Sequence, residues 1–254
     1  MSVRRTILQR LAKVERYIEG YSVGNFYVSI QLNGTPVRVD TESNGYWRYD
    51  IPAGTVLTDM SEMLSADRFA DNNNITYVNL SHMGDTSHVT DMHDLCKNCE
   101  NMTSINLGHI DTAAVTDMQG MFNGCYALQS LDLSGLNTSS IPPSTSGDNG
   151  MKNLLYMDDS GLSALTSIAL PTIPVYISSN VFYHCDSLTT VTRCGTISKN
   201  FKIQYAPLTR ASALVLINAL GPGVTLTLNA STYALLTSDD IAIATNKGCT
   251  VVSG

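Results

Sequence analysis

Apolar residues recur along the middle of this chain in a fixed order, 26 residues apart. Val89-Thr90-Asp91-Met92 returns as Val115-Thr116-Asp117-Met118, Cys99 as Cys125 and Leu107 as Leu133. The aligned units read VTDMHDLCKNCENMTSINLGHIDTAA and VTDMQGMFNGCYALQSLDLSGLNTSS, and Ile141 opens another at the same step. Fainter copies flank them. Upstream, Leu57-Thr58-Asp59-Met60 opens a unit that closes at Tyr77-Val78-Asn79-Leu80, after an insertion around Asp71-Asn72-Asn73-Asn74. Downstream, Leu165 to Leu170 repeats the strand, and Phe182-Tyr183-His184-Cys185 with Leu188 and Val191 repeats the Phe-x-x-Cys-x-x-Leu-x-x-Leu pattern with Val last.

A unit of this length predicts one coil of a repeat stack, because a single coil cannot bury its own apolar edge. In Ser130-Leu131-Asp132-Leu133-Ser134 the two-residue alternation turns the leucines inward and Ser130, Asp132 and Ser134 outward. Met118 to Phe122 is expected to form one helical turn on the opposite side, with Asp59, Asp91 and Asp117 capping each such turn.

The ends have other periods. From Val3 to Tyr21, Ile7, Leu11, Val14 and Ile18 fall at 4-3-4 spacing, which predicts a helix over 1–21. It would either pack on the body as a cap or serve docking and oligomerisation through those four residues. Residues 22–56 predict a β meander. Phe26 to Leu32 alternates, Asn33-Gly34 turns, Val37-Arg38-Val39 returns, and Tyr46 to Ile51 follows a second turn at Asn44-Gly45. After the repeats at 57–206, residues 207–254 predict an α/β cap. Its helix runs from Pro207 to Leu220 with Thr209 as N-cap, followed by a strand at 224–228, a short helix from Ser238 to Thr245 and a last strand at 249–252.

Composition narrows the function. The formal net charge of -7 opposes a nucleic-acid grip, which needs a basic face. No stretch approaches the roughly 20 apolar residues of a membrane span, and the start Met1-Ser2-Val3-Arg4-Arg5 lacks the apolar core of a secretory signal. Cys96-Lys97-Asn98-Cys99 could suggest a redox pair or half a zinc site, but Cys99, Cys125 and Cys185 share one repeat position, which suits a small buried side chain. His88 and His93 miss the helical spacing of metal ligands. The methionines at 60, 63, 92, 118 and 121 recur as core filler. No nucleotide-binding or nucleophile-elbow motif occurs. No cofactor, metal or catalytic residue is expected, and the chain is read as a non-enzyme.

Two surfaces could bind. One is the outward strand row, with Asn79, Asn106 and Asp132, whose small polar groups suit a glycan or another protein. The other is the interruption from Ile141 to Gly150, with Ser144 and Asp148.

Val-Thr-Asp-Met-x-x-Met-Phe-x-x-Cys-x-x-Leu-x-x-Leu-Asp-Leu-Ser, at residues 115–134, resembles the signature of BspA-like leucine-rich-repeat proteins. The first full unit departs from it, with Leu95-Cys96 replacing Met-Phe. The resemblance spans roughly residues 57–200 and implies an α/β solenoid of leucine-rich repeats, here with a β-rich N-terminal cap and a small α/β C-terminal cap. Members are bacterial surface adhesins, protist surface proteins and phage or prophage structural proteins. Leu226-Thr227-Leu228, Leu236-Thr237, Asp240 to Thr245 and Lys247-Gly248 are similar to a C-terminal module of phage and prophage tail proteins, with Cys249 where that family usually carries Trp. The resemblance implies a virion tail or surface component assembled in the host cytoplasm. Its partners would be other virion proteins or itself, for instance as a trimer, and a host surface protein or glycan. The alternative is a bacterial cell-surface adhesin.

Overall fold

The computed structural model describes residues 15–24, 27–142, 151–157, 163–171 and 181–254. Strands β1 (Tyr17–Ser22), β4 (Tyr46–Asp50), β5 (Ile75–Asn79) and β6 (Ser104–Asn106) form one sheet in the order β4-β1-β5-β6. Strands β7 (Ser130–Asp132), β8 (Ser167–Ala169) and β9 (Thr190–Arg193) form a second sheet, and β2 (Tyr27–Leu32) and β3 (Thr35–Asp40) a hairpin. Strands β10 (Phe201–Ile203), β11 (Thr225–Leu228) and β12 (Thr250–Ser253) form a third sheet beside helices α1 (Arg210–Ala219), α2 (Ala230–Tyr233) and α3 (Ser238–Thr245).

The 26-residue period appears in space as parallel pairing of equivalent residues. Val78 pairs with Ile105 and Leu131 with Ile168, while Asp59, Asp91 and Asp117 bridge in succession on another side of the stack. Main-chain bonds between neighbouring units continue this pattern, as in Met92 N–H to the Asp117 carbonyl (2.8 Å) and Cys96 N–H to the Met121 carbonyl (2.9 Å). Leu107 and Leu133 share one apolar core with Met60, Met92, Met118, Phe122 and Cys125. Each fully buried Leu or Met there contributes roughly 1.5–3 kcal/mol. A polar column also runs through the interior. Buried Thr112 accepts from Asn137 N–H (2.7 Å) and donates to the Asn137 carbonyl (2.9 Å), and Thr86 does the same with Asp111 one unit earlier.

Two expected helical segments require correction. The segment Met118–Phe122 is a run of tight turns and not a helical turn. Gly120 has φ +62°, and the equivalent Glu62, Asp94 and Asn153 are also left-handed, which stops the α conformation at its third residue. The recurrent aspartates do cap these turns: Asp59, Asp91 and Asp117 accept from the N–H two residues on, in Ser61, His93 and Gln119. The second correction concerns the predicted N-terminal helix. Tyr17–Ser22 is a strand, and Ile18 is fully buried in the core, so it serves neither docking nor oligomerisation. Tyr-Ile-Glu-Gly-Tyr-Ser alternates by two, and β1 lies between β4 and β5, where a helix could not pair. Ile7, Leu11 and Val14 lie outside the described residues.

The hairpin turns at Asn33-Gly34 with both residues left-handed (φ +50° and +72°), as the sequence predicts. Tyr46–Asp50, expected to continue a meander from that hairpin, pairs with β1 instead. At the far end β10, counted with the repeats by the sequence reading, pairs with β11, so the third sheet crosses the 206/207 boundary. Thr209 caps α1 by accepting from Ser212 N–H. Thr237 and Asp240 form a capping box on α3.

Asp240 also ties the two helices together. Arg210 Nε and Nη2 donate to its two oxygens at 2.8 and 2.7 Å. That guanidinium, with the Thr237 N–H, holds the Asp240 carboxyl down at about 2. Because the folded value lies below the ordinary value near ~4, the stabilisation is complete above that value and is lost as pH falls through about 2. The urea midpoint of Asp240→Asn should therefore lie below that of the wild type at pH 7, and the two should converge between pH 4 and 2. A constant difference across that window would contradict this assignment.

Candidate functional site

The sheet β4-β1-β5-β6 has one face in the core and one outward, and the registers set what the outward face carries. Arg48, Glu19, Asn79 and Asn106 lie side by side across four strands. Tyr46, Tyr21, Tyr77 and Ser104 form the next row. The first row is wired: Asn106 Nδ2 donates to Asn79 Oδ1 (3.0 Å), and Asn79 Nδ2 to Glu19 Oε1 (2.9 Å). Glu19 Oε2 accepts from the Tyr46 hydroxyl (2.7 Å). Burial, together with this carboxylate, pushes the Tyr46 hydroxyl up to about 12. The Tyr17 ring is sandwiched, with the Arg48 guanidinium 3.7 Å from its centroid and His82 stacked at 4.4 Å. Tyr21, 44% exposed, meets Tyr46 edge to face.

Of the residues singled out in the sequence, the structure brings Asn79 and Asn106 into direct contact and sets Asp132 one strand further along. Ser144 and Asp148 lie outside the described residues. The sequence reading missed Tyr17, Glu19, Tyr21, Tyr46, Arg48 and Tyr77. The signal was available: Tyr17, Glu19 and Tyr21 alternate with Ile18, Gly20 and Ser22, but the 4-3-4 spacing ahead of them claimed the segment as helix.

Between Asn106 and Asp132 the ladder opens. β5 pairs with β6 and β7 with β8, but β6 and β7 belong to different sheets. The break begins just after Gln129 N–H donates to the Thr103 carbonyl (3.2 Å). It leaves a cleft of about 260 Å³ lined by Ile105, Leu107, Ile110 and Leu136 below, and by Asn106, His109, Asp132 and Ser134 at the rim. Ile105 is only half-buried, whereas Val78, Leu131, Ile168 and Val191 at the same position of the other units are buried. The Ser134 hydroxyl and N–H, with Arg193 at longer range, hold the Asp132 carboxyl below its usual value.

The other candidate chemistry is spent on structure. Cys99, Cys125 and Cys185 donate to the carbonyls of Leu64, Cys96 and Leu155 in the preceding unit. All six cysteines are free thiols. Burial pushes Cys185 and Cys194 up to about 12, which disfavours the reactive thiolate. Cys96 is raised by its contact with Cys99 and by burial. His93 Nδ1 lies 2.8 Å from Asp91 Oδ1. Burial lowers the His93 pKa, but Asp91, Asp94 and Asp117 outweigh it and the net shift is upward. Among the described residues no three His, Cys, Asp or Glu side chains gather as a metal site, and no helix is long and apolar enough to cross a membrane.

Residues 58–146 match the family model described as "Mycoplasma protein of unknown function, DUF285". That family is related to the BspA-like repeat proteins. The matched segment contains β5, β6, β7, the cleft and the row from Asn79 to Asp132, and it excludes β1 and β4, which complete the outward face. No curated protein and no solved structure matches the chain.

Proposed function

We propose that this chain is a BspA-like leucine-rich-repeat solenoid without enzymatic activity, which presents the outward face of its first sheet to a partner. The observation that carries the reading is the make-up of that face. Tyrosine and asparagine dominate it, with Tyr17, Tyr46, Asn79 and Asn106 held by neighbouring side chains, and such residues give large contact area at little entropic cost. Its polar groups hydrogen-bond one another, and burial with the Glu19 carboxylate keeps the Tyr46 hydroxyl protonated. As for setting, the chain is a tail or other surface component of a phage virion that meets a host surface glycan or protein. The similarity of residues 226–248 to a phage tail module supports this. A second reading, a bacterial cell-surface adhesin, is favoured by the match of residues 58–146 to a family described from Mycoplasma.

Two measurements test the proposal. Tyr21→Ser combined with Asn106→Ala alters the face at exposed positions. The wild-type protein should bind host cells or a glycan array, and the double variant should bind at least tenfold more weakly with an unchanged melting temperature. Equal binding would remove the face from the account. Immunogold labelling should decorate particles; label confined to the bacterial envelope would replace the virion setting with the adhesin one.

A further inference from the structure

Building on the proposal that the sheet face binds a partner, we infer that the cleft between β6 and β7 is a subsite for one acetamido sugar, an N-acetylhexosamine unit of an oligosaccharide. The argument begins with the main chain. In a parallel ladder successive residues turn their N–H and C=O groups to alternate sides. Leu80 N–H donates to Asn106 on one side, and Leu133 N–H to Ala169 on the other. Ile105 and Leu107 therefore face β7, and Asp132 faces β6. The bond that would continue the ladder, from Leu107 N–H to the Asp132 carbonyl, is missing, and Leu107 N–H has no acceptor among the described residues. A donor and acceptors are thus held on rigid strands beside an aliphatic floor.

A secondary amide carrying a methyl group satisfies all of these at once. Its carbonyl accepts from Leu107 N–H, its N–H donates to the Asp132 or Ile105 oxygens, and its methyl covers Ile105, Leu107 and Ile110. The neighbouring ring hydroxyls then meet Asp132 and Asn106 at the rim. A sugar without the acetamido group would leave the floor wet and Leu107 unpaired, and losing a matched polar contact in such a site discriminates strongly. The size agrees: about 260 Å³ is less than the roughly 300–1,000 Å³ of pockets for drug-sized ligands, so the cleft takes one group and not a chain. An extended peptide is blocked at one end, where Gln129 and Thr103 close the ladder.

The test is an NMR titration of the full chain with N-acetylglucosamine, N-acetylgalactosamine, glucose and N-acetylglycine methylamide. At least one acetamido sugar should shift the amides of Leu107, Gly108 and Asp132 with a Kd at least tenfold below that of glucose. Gly135→Phe should abolish those shifts. Gly135 lines the cleft, and a Cβ there meets no atom within 4 Å, so the substitution brings no clash at its root. Asp132→Asn, at an exposed position, should weaken binding several-fold and serves if Gly135→Phe does not fold. No shift with either acetamido sugar, glucose binding as well as they do, tighter binding of the methylamide, or undiminished binding by both variants would each overturn the subsite. If the titration fails in one of these ways while the wild-type chain still binds cells or arrays, the subsite fails and the sheet-face reading stands; if the wild-type chain binds neither the sugars nor cells or arrays, both fail.

Discussion

Gly20→Val should cost about 3 kcal/mol or more and expose the chain's one tryptophan. Gly20 lies at the centre of β1, and a Cβ there would run into the Tyr77 carbonyl oxygen and the Trp47 indole. The oxygen belongs to β5, paired with β1, so it cannot yield without parting the two strands. Trp47 is fully buried and paired directly across from Gly20. A valine must therefore either push β1 away from β5 or drive the indole outward. Both routes open the core at Ile18 and Val78 and tilt the row from Arg48 to Asn106. Tryptophan fluorescence during urea unfolding reads this directly: the native emission should shift to the red and the midpoint should fall. Gly135→Ala is the control, since its Cβ meets open space. A Gly20→Val protein with wild-type emission and midpoint would show that β1 does not occupy the centre of this sheet.

The repeats were the most legible part of the chain, because parallel pairing of equivalent residues leaves a period in the sequence. Each unit must offer the same side chains to the same neighbours, so Met92 and Met118, Cys99 and Cys125, and Asn79 and Asn106 announce themselves as equivalent. The buried threonines Thr86, Thr112 and Thr138 follow the same rule and could have been read from their 26-residue spacing. The N-terminal sheet was less legible, because its strands pair with partners remote in sequence. Nothing local in Tyr46–Asp50 says that it pairs with β1 and not with the hairpin before it. The apolar spacing ahead of Tyr17 also competed with the strand alternation that follows it. The cleft was not legible at all: Leu107 and Leu133 are the same residue at the same repeat position, and only the failure of β6 to pair with β7 distinguishes that coil boundary from its neighbours.

Asn72 illustrates the same point for a buried polar residue. The sequence shows it as part of an Asn-rich insertion, the usual mark of an exposed loop. In the structure it is fully buried in a 3-10 turn, Ala70–Asn74. Its Oδ1 accepts from Ser29 N–H (2.9 Å), while Nδ2 donates to the Ser29 carbonyl (2.6 Å) and the Leu64 carbonyl (3.2 Å). One amide thus satisfies the hairpin strand β2 and the turn face of the first coil together. Asn72→Leu keeps the volume but strands the Ser29 N–H and carbonyl, each costing about 1–3 kcal/mol, and leaves the Leu64 carbonyl only the Cys99 thiol, so a loss of roughly 3 kcal/mol is expected. Asn72→Asp separates hydrogen bonding from shape. An ionised carboxylate would face two carbonyls with no proton to give, whereas the protonated acid restores one donor. Burial raises the carboxyl's folded value above its unfolded one, so the Asp variant recovers stability as pH falls toward the unfolded value near ~4 and loses it as pH rises through the folded one. Asn72→Leu, with nothing to titrate at that position, keeps its deficit to the wild type across the same range. Two urea midpoint curves against pH, one for each variant, would decide it: parallel curves would mean that Asn72 contributes only its volume to the joint between the hairpin and the first coil.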